Sequence, residues 1–121
     1  RGVGLIYPVI SHAAGVGHAE SSRLLLGDNP STQLVARRSP ALHVSADTPP
    51  TFIMHAIDDG AVPVANSLLM LDALRTAGRP VEVHLFEEGG HGFGLGPPGL
   101  PVSSWIALFA TWIDRQEDKA K

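Results

Sequence analysis

The sequence predicts an α/β fold in which parallel strands are flanked by helices in a three-layer αβα arrangement, and three observations carry that expectation. Two short runs, VGLIYPVI (3–10) and PTFIMHA (50–56), are apolar at nearly every position, the pattern of strands covered on both faces. A third run, PVEVHLF (80–86), alternates apolar and polar residues. Segments with apolar residues at helical spacing follow the second and third runs. The order strand, excursion, strand, helix, strand, helix is that of parallel strands joined by right-handed crossovers.

Each element has its own justification. The first run is read as a central parallel strand whose paired part ends near Tyr7, because Pro8 cannot donate to a ladder. Residues 11–50 mix Gly, Pro, Ser and His around two apolar clusters, SSRLLLG and STQLVARRSP. Both read as short helices opened by serine caps. Gly27 and Pro30 close the first, and Ser39-Pro40 closes the second. The second strand is announced by Pro49-Pro50 and followed by the loop DDGAVPV. From about Val64 to Ala77, Leu68, Leu71 and Leu74, with Leu69 and Ala77 beside them, predict an amphipathic helix ended by Gly78. In the third strand Val81, Val83 and Leu85 share one side, and Glu82, His84 and Phe86 the other. Residues 101–117 place Val102, Trp105, Ile106, Phe109, Trp112 and Ile113 on one helical stripe, before a polar tail, DRQEDKAK.

Composition narrows the function classes. At 121 residues the chain is one domain at most. With 44 % hydrophobic and 17 % charged residues it has the means to bury a core. A net charge of −3 with scattered basic residues gives no face for a phosphate backbone, so no nucleic-acid partner is expected. No apolar run approaches the roughly 20 residues needed to cross a bilayer, so no membrane partner is expected either. With no cysteine there is no disulfide framework, and the compartment stays open. Arg1 is followed at once by GVGLIYPVI, a strand without a lead-in, which reads as the later part of something longer.

In open α/β sheets, functional residues gather on loops at the carboxyl ends of strands. Two loops qualify: 57–63, with Asp58 and Asp59, and 87–96, with Glu87, Glu88 and His91. A carboxylate after one strand and a histidine after its neighbour can meet above the sheet. The carboxylate then accepts the imidazole Nδ1–H and leaves Nε2 free to take a proton. Glycines at 89, 90, 92, 94 and 96 let the histidine loop bend as needed. By composition alone, a histidine in such a loop is more often a surface residue, and paired aspartates before a helix are often turn formers.

HAIDDGAVPVANS (55–67), with HLFEEGGHGFGLG (84–96) about 30 residues later, resembles the acid and histidine segments of α/β-hydrolases. YPVIS, LLGDNPS and DTPPTFIMHA, in the same order, are similar to the bacterial acetyl esterase group that includes acetyl xylan esterase-like enzymes. The resemblance covers nearly the whole chain and implies a partial α/β-hydrolase fold. By it, Asp59 lies where the family's HGxxDxxVP carries the triad acid, with Asp58 as the alternative a register error would choose, and His91 matches the triad histidine. It implies no cofactor and no metal. The implied activity is carboxylic ester hydrolysis on a small-molecule substrate, a short-chain acyl ester, with acetylated sugars as one class.

The family's serine sits on a GxSxG elbow. Ser11, Ser21, Ser22, Ser31, Ser39, Ser45, Ser67, Ser103 and Ser104 all lack the flanking glycines, and no HGGG-type oxyanion segment precedes the acid. The resemblance therefore makes residues 1–121 the carboxyl-terminal part of one hydrolase domain, with 11–47 as a covering excursion. Alone, it is not expected to hydrolyse esters. It is expected to need the missing amino-terminal half or to self-associate. The rival reading is a non-catalytic half-domain that acts in binding or assembly. The other histidines, His12, His18, His43, His55 and His84, lack metal-ligand spacing, and His55, ending an apolar strand, reads as a satisfied core histidine.

Overall fold

The computed structural model describes residues 1–119. Its three strands are β1 (Val3–Ile6), β2 (Thr51–Ala56) and β3 (Val81–Phe86), all parallel and in the order β1-β2-β3. Leu5 and Val83 both lie opposite Ile53. The paired part of the first strand ends beside Tyr7, as predicted, and among the described residues its one neighbour is β2, which is buried at every position.

Side chains of β2 alternate between two cores, as the period of two requires. Ile53 packs with Ile10, Met70 and Leu74 on one face, while Phe52 and Met54 pack with Val102 and Trp112 on the other. The first face is covered by helix α3 (Ala65–Thr76) and by a short 3-10 turn at Pro40–His43. The second is covered by helix α4 (Trp105–Asp118), entered through a 3-10 turn at Pro101–Ser104. Helices on both faces of a parallel sheet make the three-layer α/β architecture that the sequence predicts.

The α3 stripe is rotated from the expected one, whereas the α4 stripe holds at Val102, Trp105, Phe109 and Trp112. In α3 the inward positions are Asn66, Ser67, Met70 and Leu74, and Leu68 and Leu69 are exposed. The polar Asn66 and Ser67 turn inward because hydrogen-bond partners await them there. Asn66 Oδ1 accepts from the backbone N–H groups of Ile10 and Ser11, and its Nδ2 donates to the carbonyls of Val16 and Pro63. A satisfied buried amide can displace a leucine from the core face. In α4, Trp112 is buried and Phe109 packs beside it, but Ile106 and Ile113 are exposed. That helix also runs through most of the expected polar tail, to Asp118, and Ala120 and Lys121 lie outside the described residues.

Within residues 11–47 the two expected helices form, as α1 (Ala19–Leu26) and α2 (Thr32–Arg37). Ser31 caps α2 by accepting from Leu34 N–H, as predicted. The cap of α1 is instead His18, whose Nδ1 accepts from Ser21 N–H, so the serines lie inside the helix. Among the described residues, no helix is long and apolar enough to cross a membrane.

Candidate functional site

The carboxyl ends of the strands bring the two predicted loops together. β2 ends at Ala56 and β3 at Phe86, and the ladder extends one step further through Ile57 N–H to the Phe86 carbonyl. The two loops therefore leave the sheet side by side. Asp59 turns back under its own loop, where Oδ1 accepts from Ala61 N–H at 2.9 Å and Val62 N–H at 2.8 Å. This is the Asx-type turn that an aspartate forms readily. Its side chain is wholly buried.

His91 reaches this carboxylate from the neighbouring loop, with Nδ1 2.8 Å from Asp59 Oδ2. Since a carboxylate only accepts, Nδ1 carries the hydrogen. Nε2 is left as the proton-accepting nitrogen of a side chain that is 37 % exposed. Gly90 and Gly92, at φ +64° and +70°, flank His91 in the left-handed region, where a Cβ would be strained. The glycines thus let the chain reverse on both sides of the imidazole.

Burial opposes ionisation of Asp59, but Val62 N–H, the His91 imidazole and Ala61 N–H outweigh it, and the carboxyl is held below its ordinary range. Asp58, the register alternative, does not reach the imidazole. Its Oδ1 accepts from Gly90 N–H at 2.8 Å, so it ties the histidine loop's backbone to the acid loop. Glu87 and Glu88 are exposed.

Two residues that join the site are not assigned to it by the sequence. The Tyr7 ring meets His91 edge-on, with centroids 4.8 Å apart, and Phe93 at 5.0 Å. Tyr7 adopts φ +38°, a strained value for a bulky residue, and strain of this kind gathers at functional sites. Its place at the carboxyl end of β1 is the one sequence signal for it. His55 is fully buried with hydrogen-bonding partners, as expected, but one of those partners is Asp59 Oδ2, at 3.1 Å.

The excursion and Leu69 of α3 line an open cleft of about 780 Å³, with Ser11, His12, Val16, Val35 and Leu42 in its wall. His12 Nδ1 lies 2.8 Å from Ser22 Oγ. Among the described residues, no group of three or more His, Asp or Glu is gathered as a metal site.

Known proteins share this arrangement of sheet and loops. The chain is 42 % identical over 91 residues to endo-1,4-beta-xylanase B of Butyrivibrio fibrisolvens, covering 75 % of this chain and 14 % of that protein. It is 36 % identical over 96 residues to an acetylxylan esterase of Xylanibacter ruminicola, covering 76 % of this chain and 20 % of that one. It superposes with a TM-score of 0.91 and 44 % identity on an acetyl ester-xyloside bifunctional hydrolase from Caldicellulosiruptor lactoaceticus, over 96 % of its own length and 42 % of that chain. It therefore spans less than half of each of these relatives. The sequence profile of the prolyl oligopeptidase family matches residues 18–119. With that match over most of its length and an α/β-hydrolase architecture, the chain belongs to the prolyl oligopeptidase family.

Proposed function

We propose that residues 1–121 supply the acid and base of a serine-dependent carboxylic ester hydrolase acting on short-chain acyl esters, acetylated carbohydrate among them. The observation that carries this is the 2.8 Å hydrogen bond from His91 Nδ1 to the buried Asp59, which leaves Nε2 of a part-exposed ring to accept a proton. In the complete site, a serine from outside these residues attacks the ester carbonyl while His91 Nε2 takes its proton. Asp59 stabilises the imidazolium. The proton then passes to the leaving alkoxide, releasing the alcohol and an acyl-enzyme. Water, activated by the same imidazole, frees the acid and regenerates the serine. Donors for the oxyanion also come from outside these residues.

The family is named for an oligopeptidase, but the relatives at 36–44 % identity carry carbohydrate and ester names, and these favour ester over amide. The cleft beside 11–47 is of ligand size and largely apolar, which supports a role for the excursion in shaping an acyl or alcohol pocket.

A second reading is a non-catalytic half-domain used in assembly, in keeping with residues that carry no GxSxG serine. Treating the protein from its native source with a fluorophosphonate and weighing the intact species decides between them. The expected result is a label on a serine of a longer chain or a co-purifying one, with acetate release from acetylated xylo-oligosaccharide that His91→Ala abolishes. A single unlabelled species of 12.8 kDa without hydrolysis would overturn the hydrolase reading.

A further inference from the structure

Asp59 is held asymmetrically. Its Oδ1 is fixed by two backbone N–H groups of its own loop, but Oδ2, the oxygen that meets His91, has no backbone donor among the described residues. The other group on Oδ2 is the imidazole of His55, with Nε2 at 3.1 Å. The same Nε2 lies 2.9 Å from the Val62 carbonyl. A carbonyl can only accept, so Nε2 carries a hydrogen whatever the charge of the ring, and it shares that hydrogen between Asp59 Oδ2 and the Val62 carbonyl. On the other side of the ring, Nδ1 lies 2.7 Å from Ser67 Oγ on α3. His55 and Ser67 are both fully buried. A chain of buried contacts therefore runs from α3 through Ser67, His55 and Asp59 to the exposed His91.

We propose that His55 is a positioning residue for the acid–base pair: its Nε2–H holds Asp59 Oδ2 toward His91 Nδ1, and Ser67 on α3 fixes the ring that does so. Without this donor, the carboxylate is pinned at one oxygen only. The direction of the other then depends on an imidazole that is itself part exposed and mounted between glycines. His55 also ties the acid loop to the sheet, because it belongs to β2 while accepting and donating across to α3 and to Val62. The inference rests on the reading of Asp59 and His91 as acid and base.

Its test reads the hydrogen bond rather than turnover. In the 121-residue chain at about pH 9, above the ordinary imidazole range, the nitrogen shifts of His91 report which ring nitrogen is protonated. The parent chain is expected to hold His91 in the Nδ1–H form. His55→Gln, whose amide nitrogen can stand in for Nε2, is expected to retain that form. His55→Leu, which removes the donor, is expected to lose it in favour of the Nε2–H form. If His55→Leu does not fold, Ser67→Ala decides: it removes no residue that touches Asp59 but frees the His55 ring from α3, and a reduced Nδ1–H population supports the assignment. An unchanged Nδ1–H population in His55→Leu, or in Ser67→Ala where that variant decides, overturns it, even if the melting temperature falls. A parent chain that lacks the Nδ1–H form would instead sink the acid–base reading itself, so the two failures are distinguishable.

Discussion

The acid loop and the histidine loop stand side by side at one end of the sheet, yet they are built in opposite ways. Asp59 is buried and held by backbone N–H groups, His55 and His91, in a loop that leads into α3. His91 is part exposed, and it rests on one hydrogen bond and one edge-on contact with Tyr7. A group whose task is to stabilise charge gains from a rigid, dry environment, whereas a group that must hand a proton to a substrate has to stay accessible. Asp59 is thus preorganised by its own loop and by His55, and His91 is oriented through Asp59.

Loss of the rigid partner is expected to have the largest effect. Asp59→Ala strands the Val62 N–H and takes the acceptor from two imidazoles, and it is expected to lower unfolding stability by about 3 kcal/mol in urea denaturation. His91→Ala removes only the accessible end and is expected to cost less than about 1 kcal/mol, so equal losses in the two variants would show the asymmetry to be wrong.

On the histidine side, shape matters more than bonding. Gly96 has φ +88°, and a Cβ there would lie 2.7 Å from Ser103 Cα and 2.8 Å from Ser103 N. Gly96→Ala should therefore cost about 2 kcal/mol, more than the loss of His91 itself, as a melting comparison would reveal.

Acid titration sharpens the same contrast. The folded-state carboxyl of Asp59 is held low, so its contribution is complete above the ordinary carboxylate range, near about pH 4, and is lost as the pH falls through the lowered value. The stability advantage of the parent over Asp59→Asn should shrink over that acid window and stay flat at neutral pH. An advantage that shrinks on the alkaline side instead would contradict the assignment. The smallest effect is expected at Asp58, whose exposed hydrogen bond to Gly90 N–H is worth about 0.5–1 kcal/mol. Hydrogen exchange at Gly90 should quicken in Asp58→Ala while exchange at Val62 stays slow.

Much of the fold was legible from the order of residues. The apolar run at 51–56, the alternation at 81–86 and the capped helix opened by Ser31 are local patterns, and the α/β layering follows from their sequence. Asp59 and His91 were singled out through the spacing of two segments and a resemblance, and the two side chains do meet. The misplaced features are all matters of partner. Leu68 and Leu69 are more apolar than Asn66 and Ser67 but are exposed, because Ser67 and Asn66 have buried groups to bond. His18 caps α1 ahead of two serines that residue preference would choose.

The sequence by itself therefore determined which segments become strands and helices, because periodicity and propensity are properties of residues adjacent in the chain. Three-dimensional packing settled the rest: which helix faces point inward, that Tyr7 is held at a strained φ beside the imidazole, and that His55 meets Asp59 Oδ2. Each of those outcomes depends on which atoms arrive opposite one another across the sheet. That relation is set by strand register, helix rotation and the need of every buried polar atom for a partner.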